Sequence, residues 1–175
     1  LEPFLLINTN ENMLAFANGQ PIPHIINNIF VPTFGMVGGT GSTISLLIAI
    51  FIFSRQQSAK QVARLSLAPG LFNINEPVIF GLPIVFNLPL MIPFVLLPAI
   101  GIYFAWLCTT LGFMSRCVVM IPWTTPPILS AWLATAGDWR AVVVQLAIII
   151  FGVFFYLPFL KIAERVALKN SGIEN

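Results

Sequence analysis

The sequence predicts an all-α integral membrane protein in which spanning helices are accompanied by two re-entrant hairpins. Of its 175 residues, 58% are hydrophobic and only 8% are charged, and the mean hydropathy is +0.93. A soluble domain carries roughly 25% charged residues, so this composition selects the membrane class. The charges are also widely spaced, because no Asp, Glu, Lys or Arg lies within residues 12–54, 77–115 or 141–160. Each gap is long enough for a spanning helix, which needs about 20 mostly apolar residues.

Three spanning helices are predicted along the chain. The first covers residues 35–53, because its second half is almost wholly aliphatic and aromatic, whereas residues 1–20 are polar and Asn-rich. The others cover residues 84–112, which three prolines interrupt, and residues 141–160, in which Gln145 is the only strongly polar side chain. Proline kinks a helix, but neighbouring helices can satisfy the backbone groups that it frees.

The distribution of charge predicts the orientation of the chain. Three basic residues and no acidic ones lie in segment 55–64, and Lys161, Arg165 and Lys169 form a second basic cluster near the C-terminus. Cytoplasmic loops carry an excess of Lys and Arg, so both segments are expected on the cytoplasmic side. The remaining charges, at residues 116–140, would then face outside. The chain must therefore cross the membrane an odd number of times between the first basic segment and these charges, and again between these charges and the second basic cluster.

Two apolar segments remain, residues 65–83 and residues 118–136. Both are broken by prolines and by other helix-disrupting residues, and two full crossings here would violate the required parity. Each is therefore predicted to be a re-entrant hairpin, with one helix entering, an irregular tip and one helix leaving. Irregular backbone at membrane depth is tolerated where it lines a cavity, and paired interrupted segments are typical of transporter binding sites.

The remaining composition limits the other roles that the chain could have. It begins at Leu1 on polar sequence with no signal-peptide pattern, and we expect it to be the C-terminal part of a longer protein. Cys108 and Cys117 lie in or beside apolar sequence without CxxC spacing, which favours small buried side chains and predicts no metal or other cofactor. The net charge of +2 is spread along the chain, so no nucleic-acid partner is expected.

Glu76 is the strongest candidate for a functional residue. It is the one carboxylate inside a segment predicted to lie in the membrane, where a charge costs roughly 2.5–3.5 kcal/mol or more and normally faces a cavity. Asn73 and Asn75 lie beside it in sequence, and these groups together suit a ligand with many hydroxyls, such as a sugar. The alternative is a buried Glu that pairs with Arg or Lys elsewhere in a longer protein.

Trp123, Thr124 and His24 are the other candidate ligand-binding residues. An indole ring stacks on the apolar face of a pyranose, and the threonine hydroxyl beside it adds a hydrogen-bonding group. The alternative for Trp123 is a place in the aromatic belt at the membrane interface. His24 is the only histidine, and its imidazole suits ligand binding, proton relay or a hydrogen-bonded structural role.

The segment Leu-Phe-Asn-Ile-Asn-Glu-Pro-Val-Ile-Phe-Gly-Leu-Pro at 71–83 closely resembles the sugar-translocating IIC component of bacterial phosphotransferase systems. Within that family it is most similar to the lactose/cellobiose/chitobiose group. The similarity extends to the glycine-rich residues 38–41, the basic segment 55–64, Pro-Trp-Thr-Thr-Pro at 122–126 and Tyr-Leu-Pro-Phe at 156–159. On this resemblance, residues 1–175 are the C-terminal sugar-binding portion of a IIC membrane domain without its N-terminal half.

The resemblance implies a permease subunit of the inner membrane, part of a phosphoenolpyruvate-dependent system. As a homodimer in the bilayer, it would bind and translocate a disaccharide and present it to a phosphorylated IIB partner. The phosphate donor would be a cysteine of IIB, so this chain would act only as part of a sugar phosphotransferase complex. Glu76 would hold the hydroxyl that receives the phosphate, with Asn75 and Trp123 lining the sugar site. Residues 27–30 depart from the family pattern, which weakens a sugar-binding role for His24.

Two other functions remain open from the residues alone. One is a proton-coupled secondary sugar transporter in which Glu76 carries the proton. The other is a non-transporting membrane subunit, which would bind no sugar and tolerate the change Glu76→Gln.

Overall fold

The structure is a computed structural model that describes residues 2–170. Within these residues the backbone is helical and contains no β-strand, as the sequence predicts. Eight α-helices and one 3₁₀ turn follow one another along the described chain: α1 Glu2–Ala17, α2 Phe30–Gly35, α3 Thr43–Phe53, α4 Gln57–Leu71, α5 Glu76–Gly81, the 3₁₀ turn Ile84–Phe86, α6 Leu88–Thr110, α7 Leu129–Ala134 and α8 Trp139–Asn170.

Helices α6 and α8 are each long and apolar enough to cross a membrane, and they agree with two of the predicted spans. Proline lies near the start of α6 and twice inside it, and α8 also contains one proline. The two helices pack against each other, and α8 also packs against α3. Gly152 allows the close packing of α8 on α3, because a Cβ atom there would lie 2.5 Å from the Ser45 hydroxyl. Gly101 allows α2 to approach α6 in the same way, because a Cβ atom there would lie 2.5 Å from the Phe34 carbonyl oxygen.

The predicted spanning helix over residues 35–53 is wrong. The helix α3 begins only at Thr43 and has 11 residues. At about 1.5 Å per residue it is about 16 Å long, roughly half of the hydrocarbon thickness of a bilayer. The residues before it cannot extend the helix, because Gly38, Gly39 and Gly41 have φ angles of +77°, +99° and +81°. These values suit glycine, whereas a right-handed helix requires negative φ.

The predicted hairpin at 65–83 has helix–turn–helix form, made by α4, a short turn and α5. Its insertion into the membrane stays a prediction. In the hairpin predicted at 118–136 the expected first helix is wrong, since only α7 is helical there. The prolines of this segment have no N–H to donate to a helix. Its two ends nevertheless meet, because the backbone N–H groups of Val118 and Val119 both donate to the carbonyl oxygen of Ala134.

Helix α1, which the polar N-terminal sequence did not predict, is joined to the rest by buried amides. The Asn12 side chain donates to the carbonyl oxygens of His24 at 2.8 Å and of Cys117 at 3.1 Å. Asn27 donates to the same Cys117 oxygen at 2.9 Å. Asn12 of α1 therefore satisfies backbone groups of two other segments, which explains why this polar side chain is buried.

Tyr156 joins α8 to the glycine-rich turn before α3. Its side chain is fully buried, and its hydroxyl donates to the Gly41 carbonyl oxygen at 2.7 Å. We expect Tyr156→Phe to lower the free energy of unfolding by about 1–3 kcal/mol, because the carbonyl loses its buried partner. Thermal unfolding in detergent measures the effect, with Tyr103→Phe as control because Tyr103 is 63% exposed. Equal melting temperatures for the two variants would contradict this role.

Candidate functional site

Helices α4 and α5 and the turn between them form an arm. Three non-helical segments meet in the structure: the glycine loop (residues 38–41), the arm tip (residues 72–75) and the proline loop (residues 122–127). Asn73 joins all three, because its side-chain oxygen accepts from the Gly38 N–H at 2.8 Å. Its amide nitrogen donates to the carbonyl oxygens of Trp123 at 2.6 Å and Thr125 at 3.0 Å. Segments that are 35 to 52 residues apart in the sequence are therefore held together by one side chain.

The arm tip has the shape that its residues favour. Asn73 has a φ of +62°, a left-handed conformation that asparagine adopts more readily than most residues, and α4 ends just before it. Pro77 stands in the first turn of α5, where a helix has no use for the missing N–H. The tip is therefore a short, defined turn between two helices, and Glu76 is the first residue after it.

Asn75 fixes the tip against the glycine loop. The side chain is 6% exposed, and its amide nitrogen donates to the Thr40 carbonyl oxygen at 2.6 Å. The approach is close, since a Cβ atom on Gly39 would lie 2.6 Å from the Asn75 Cγ. Asn75 therefore has a structural bond to the backbone in addition to any contact with a ligand.

Glu76 begins α5 with its side chain exposed. Among residues 2–170, no group forms a hydrogen bond or an ion pair with its carboxylate. The alternative interpretation, a buried Glu with a basic partner, finds no support in this part of the chain. A carboxylate at the start of a helix is also favoured by the unpaired N–H groups there. Glu76 is thus ionisable, accessible and close in sequence to the residues that hold the arm tip.

A cavity of about 380 Å³ lies beside the arm tip, within the size range of small-molecule sites. Its polar lining comes from Glu2, Asn28, Thr33, Asn73, Thr125, Ser130 and Gln145, and its apolar lining from Ile29, Pro32, Val37, Met120, Ile121, Pro122, Trp123 and Pro127. An apolar wall with a few hydrogen-bonding groups suits a ligand that has both apolar faces and hydroxyls.

The cavity includes only some of the residues expected from the sequence. Asn73 and Trp123 line it, and the Trp123 side chain is 64% exposed and available for stacking. Asn75 and Glu76 lie on the same arm but do not line the cavity, and neither does the half-buried Thr124. The Trp123 ring therefore lies at the cavity, and the Glu76 carboxylate directly follows the arm tip, whose Asn73 lines the cavity.

His24 lies apart from this group. Its Nε2 is 2.5 Å from a carboxylate oxygen of Glu11 on α1, and its backbone N–H and carbonyl both bond to the side chain of Asn12. The residue does not line the cavity. Within the described chain, His24 links the segment after α1 to that helix. These contacts correspond to the hydrogen-bonded structural role that was one of the alternatives for this residue.

Gln145 is a cavity residue that was not proposed from the sequence. Its amide nitrogen donates to the Thr33 carbonyl oxygen at 2.7 Å and to the Ser130 hydroxyl at 2.9 Å, and its oxygen accepts from the Ile128 N–H at 2.6 Å. Its position in an otherwise apolar spanning helix could have indicated this role, because polar side chains in such helices usually form hydrogen bonds to other segments.

Comparison with known proteins identifies the chain. Residues 1–98 match the family model described as the EIIC of the phosphotransferase system, which is more than half of the chain. The chain belongs to this family. The EIIC membership confirms the family that the motifs at 71–83 and 122–126 indicated. Together with the apolar helices it shows an integral inner-membrane protein.

Individual EIIC relatives agree with the assignment. The chain is 42% identical over 151 residues to the "PTS system cellobiose-specific EIIC component" of Lactococcus lactis, which covers 82% of this chain and 31% of that protein. It is 39% identical over 163 residues to the "PTS system oligo-beta-mannoside-specific EIIC component" of Bacillus subtilis, covering 91% and 36%.

A solved structure of this family has the same fold. The crystal structure of the transporter ChbC, "the IIC component from the N,N'-diacetylchitobiose-specific phosphotransferase system", matches with a TM-score of 0.92 and 36% identity. The match covers 98% of this chain and 40% of that chain. The chain thus spans about a third of the length of the curated relatives that it matches.

Proposed function

We propose that this chain forms the sugar-binding C-terminal portion of a permease subunit of a phosphoenolpyruvate-dependent phosphotransferase system. The subunit would bind and translocate a disaccharide of the cellobiose, chitobiose or lactose kind. The observation that carries the proposal is the exposed Glu76 carboxylate on an arm whose tip borders the cavity that holds Trp123. The specificities named for the relatives, for cellobiose, oligo-β-mannoside and diacetylchitobiose, support a disaccharide or a short oligosaccharide as substrate.

The chemistry follows from the group that Glu76 offers. A sugar hydroxyl donates a hydrogen bond to the carboxylate, which makes the hydroxyl oxygen a better nucleophile. That oxygen attacks the phosphorus of a phosphocysteine on the IIB partner, so an O–P bond forms as the S–P bond breaks. The hydroxyl proton passes to Glu76, and IIB leaves with a thiolate. This chain supplies position and proton acceptance, whereas IIB supplies the phosphoryl group.

Phosphoryl transfer from a soluble IIB requires the arm to be accessible from the cytoplasmic side of the membrane. We place segment 55–64 and the C-terminus on the cytoplasmic side, where a soluble IIB resides. In support, Ser54, which follows α3, donates a hydrogen bond from its hydroxyl to Glu164 near the end of α8. The two basic segments thus lie at the same end of the molecule, as one cytoplasmic face requires. Within the bilayer we propose a homodimer, in keeping with the family resemblance.

The proposal is tested by the product that the full-length protein makes. Vesicles that contain it should accumulate sugar phosphate from a labelled disaccharide only when phosphorylated IIB is supplied. The alternative, a proton-coupled transporter that uses Glu76, predicts free sugar in the vesicles and dependence on a pH gradient. Accumulation of unmodified disaccharide driven by such a gradient would overturn the proposed function.

A further inference from the structure

We propose that Asn73 is a positioning residue, a latch that holds Trp123 at the cavity against the arm that carries Glu76. The inference rests on the proposed function and assigns to Asn73 a different role from direct sugar binding. It is carried by the hydrogen bonds of the Asn73 side chain, by their exposure, and by a second amide that holds the same region from the opposite side.

The Asn73 amide has no donor left for a ligand. An asparagine side chain has two N–H donors and one carbonyl oxygen. One N–H donates to the Trp123 carbonyl oxygen and the other to that of Thr125, while the oxygen accepts from the Gly38 N–H. A sugar hydroxyl could be bound by these donors only if the link between the arm tip and the proline loop were broken.

The proline loop and the residues after it are held from two sides. Asn73 holds Trp123 and Thr125 from the arm tip, and Gln145 of α8 holds Ile128 and Ser130 from the other side. The Gln145 bonds to Ser130 and Thr33 are buried and its bond to Ile128 is part-buried, whereas the Asn73 bond to Trp123 is exposed and its bond to Thr125 is part-buried. An exposed hydrogen bond exchanges with water at little net cost, but a buried one does not. Gln145 is therefore the permanent anchor, and Asn73 is the latch that can release.

Release of the latch separates the two chemical groups of the site. Within residues 2–170, the hydrogen bond between the Trp123 backbone and the arm tip comes from Asn73, and Glu76 lies three residues further along the same arm. When the latch is closed, the Trp123 backbone is tied to the arm that carries Glu76, which restricts the position of the indole relative to the carboxylate. When it opens, the proline loop can move while its far end stays anchored, which gives the sugar a way in and out.

A double-mutant cycle in the full-length protein tests the latch. Asn73→Gly keeps the left-handed backbone and removes the amide, and we expect the dissociation constant for the disaccharide to rise about 10- to 100-fold, because small misplacements of a binding group cost about this much. In a Trp123→Ala background the same change should cost less than about threefold, since coupled residues are not additive. Equal costs in both backgrounds would overturn the latch and indicate a direct contact of Asn73 with sugar.

Thiol labelling without sugar separates failure of the latch from failure of the proposed function. Thr125→Cys should react with a maleimide several times faster when Asn73→Gly is also present, whereas Leu129→Cys, an exposed position at the start of α7 that keeps the Gln145 bonds, should not change. Unchanged labelling at both positions would overturn the latch even if sugar is phosphorylated. Asn73→Asp serves where Asn73→Gly does not fold, because it keeps the acceptor for Gly38 and removes both donors. Asn10→Ala, an exposed asparagine on α1, is the control.

Discussion

Replacement of Glu76 by Gln should lower the rate of sugar phosphorylation about 100- to 10,000-fold while the protein keeps its fold. The amide has the size of the carboxylate but cannot take the proton of the sugar hydroxyl, and general-base catalysis contributes about this factor. Because the side chain is exposed and has no partner within residues 2–170, its exchange removes no internal bond. The loss should therefore appear in the rate of transfer and only weakly in the melting temperature.

The measurement is the initial rate of sugar-phosphate formation by the full-length protein with phosphorylated IIB. Glu11→Gln is the matched control, since it removes a carboxylate whose contact is with His24, away from the cavity. An exposed polar contact of this kind contributes little to stability. If Glu76→Gln retained the wild-type rate, the role of the carboxylate as proton acceptor would be excluded.

Gly39→Ala should have the largest effect on the structure of the site. The residue has a φ of +99°, and an added Cβ atom would lie 2.6 Å from the Asn75 Cγ and 2.9 Å from the Asn73 carbonyl oxygen. Backbone strain of about 1–2 kcal/mol and overpacking of about 1–3 kcal/mol together lower the free energy of unfolding by roughly 2–5 kcal/mol. We also expect sugar binding to be lost, since the arm tip must move away from the glycine loop.

Gly112→Ala separates the two contributions to this effect. Gly112 has a similar positive φ of +74°, but a Cβ atom there would meet nothing within 4 Å. The control should therefore show the backbone strain alone and bind sugar normally. Thermal unfolding in detergent and equilibrium sugar binding are the measurements. If the two variants had the same melting temperature and affinity, the close approach of the glycine loop to Asn75 would have no energetic role.

The parts of the fold that the sequence predicted are those set by local composition. Helices α6 and α8 follow from long stretches without charge, and the turn between α4 and α5 follows from its two asparagines and from the Pro and Gly residues in the helices beside it. Helix α3 was predicted too long, because hydropathy treats the glycines before it as neutral and ignores their positive φ angles. Helix α1 was missed because Thr9 and Asn12 read as surface residues, although both are buried.

The sequence proposed residues for the candidate site but not the contacts among them. The cost of a charge in the membrane and the family resemblance pointed to Glu76 and Trp123 without any structure. The bonds of Asn73 depend on partners 35, 50 and 52 residues away, and those of Gln145 on partners up to 112 residues away. Such pairings are set by tertiary packing, and no local pattern encodes them.

On the proposed function, the shortness of α3 constrains the transport cycle. The helix starts next to the glycine loop and ends at Phe53, directly before Ser54 and the first basic segment. The length of α3 therefore separates the glycine loop from the first basic segment by about 16 Å. That segment belongs to the face on which we propose that a soluble phosphoryl donor binds. On that function, the sugar hydroxyl must reach the phosphorus that it attacks, which requires this gap to be closed in each turnover. A conformational change that alternates access to the sugar site must therefore also shorten the distance between the sugar and the face on which the donor binds.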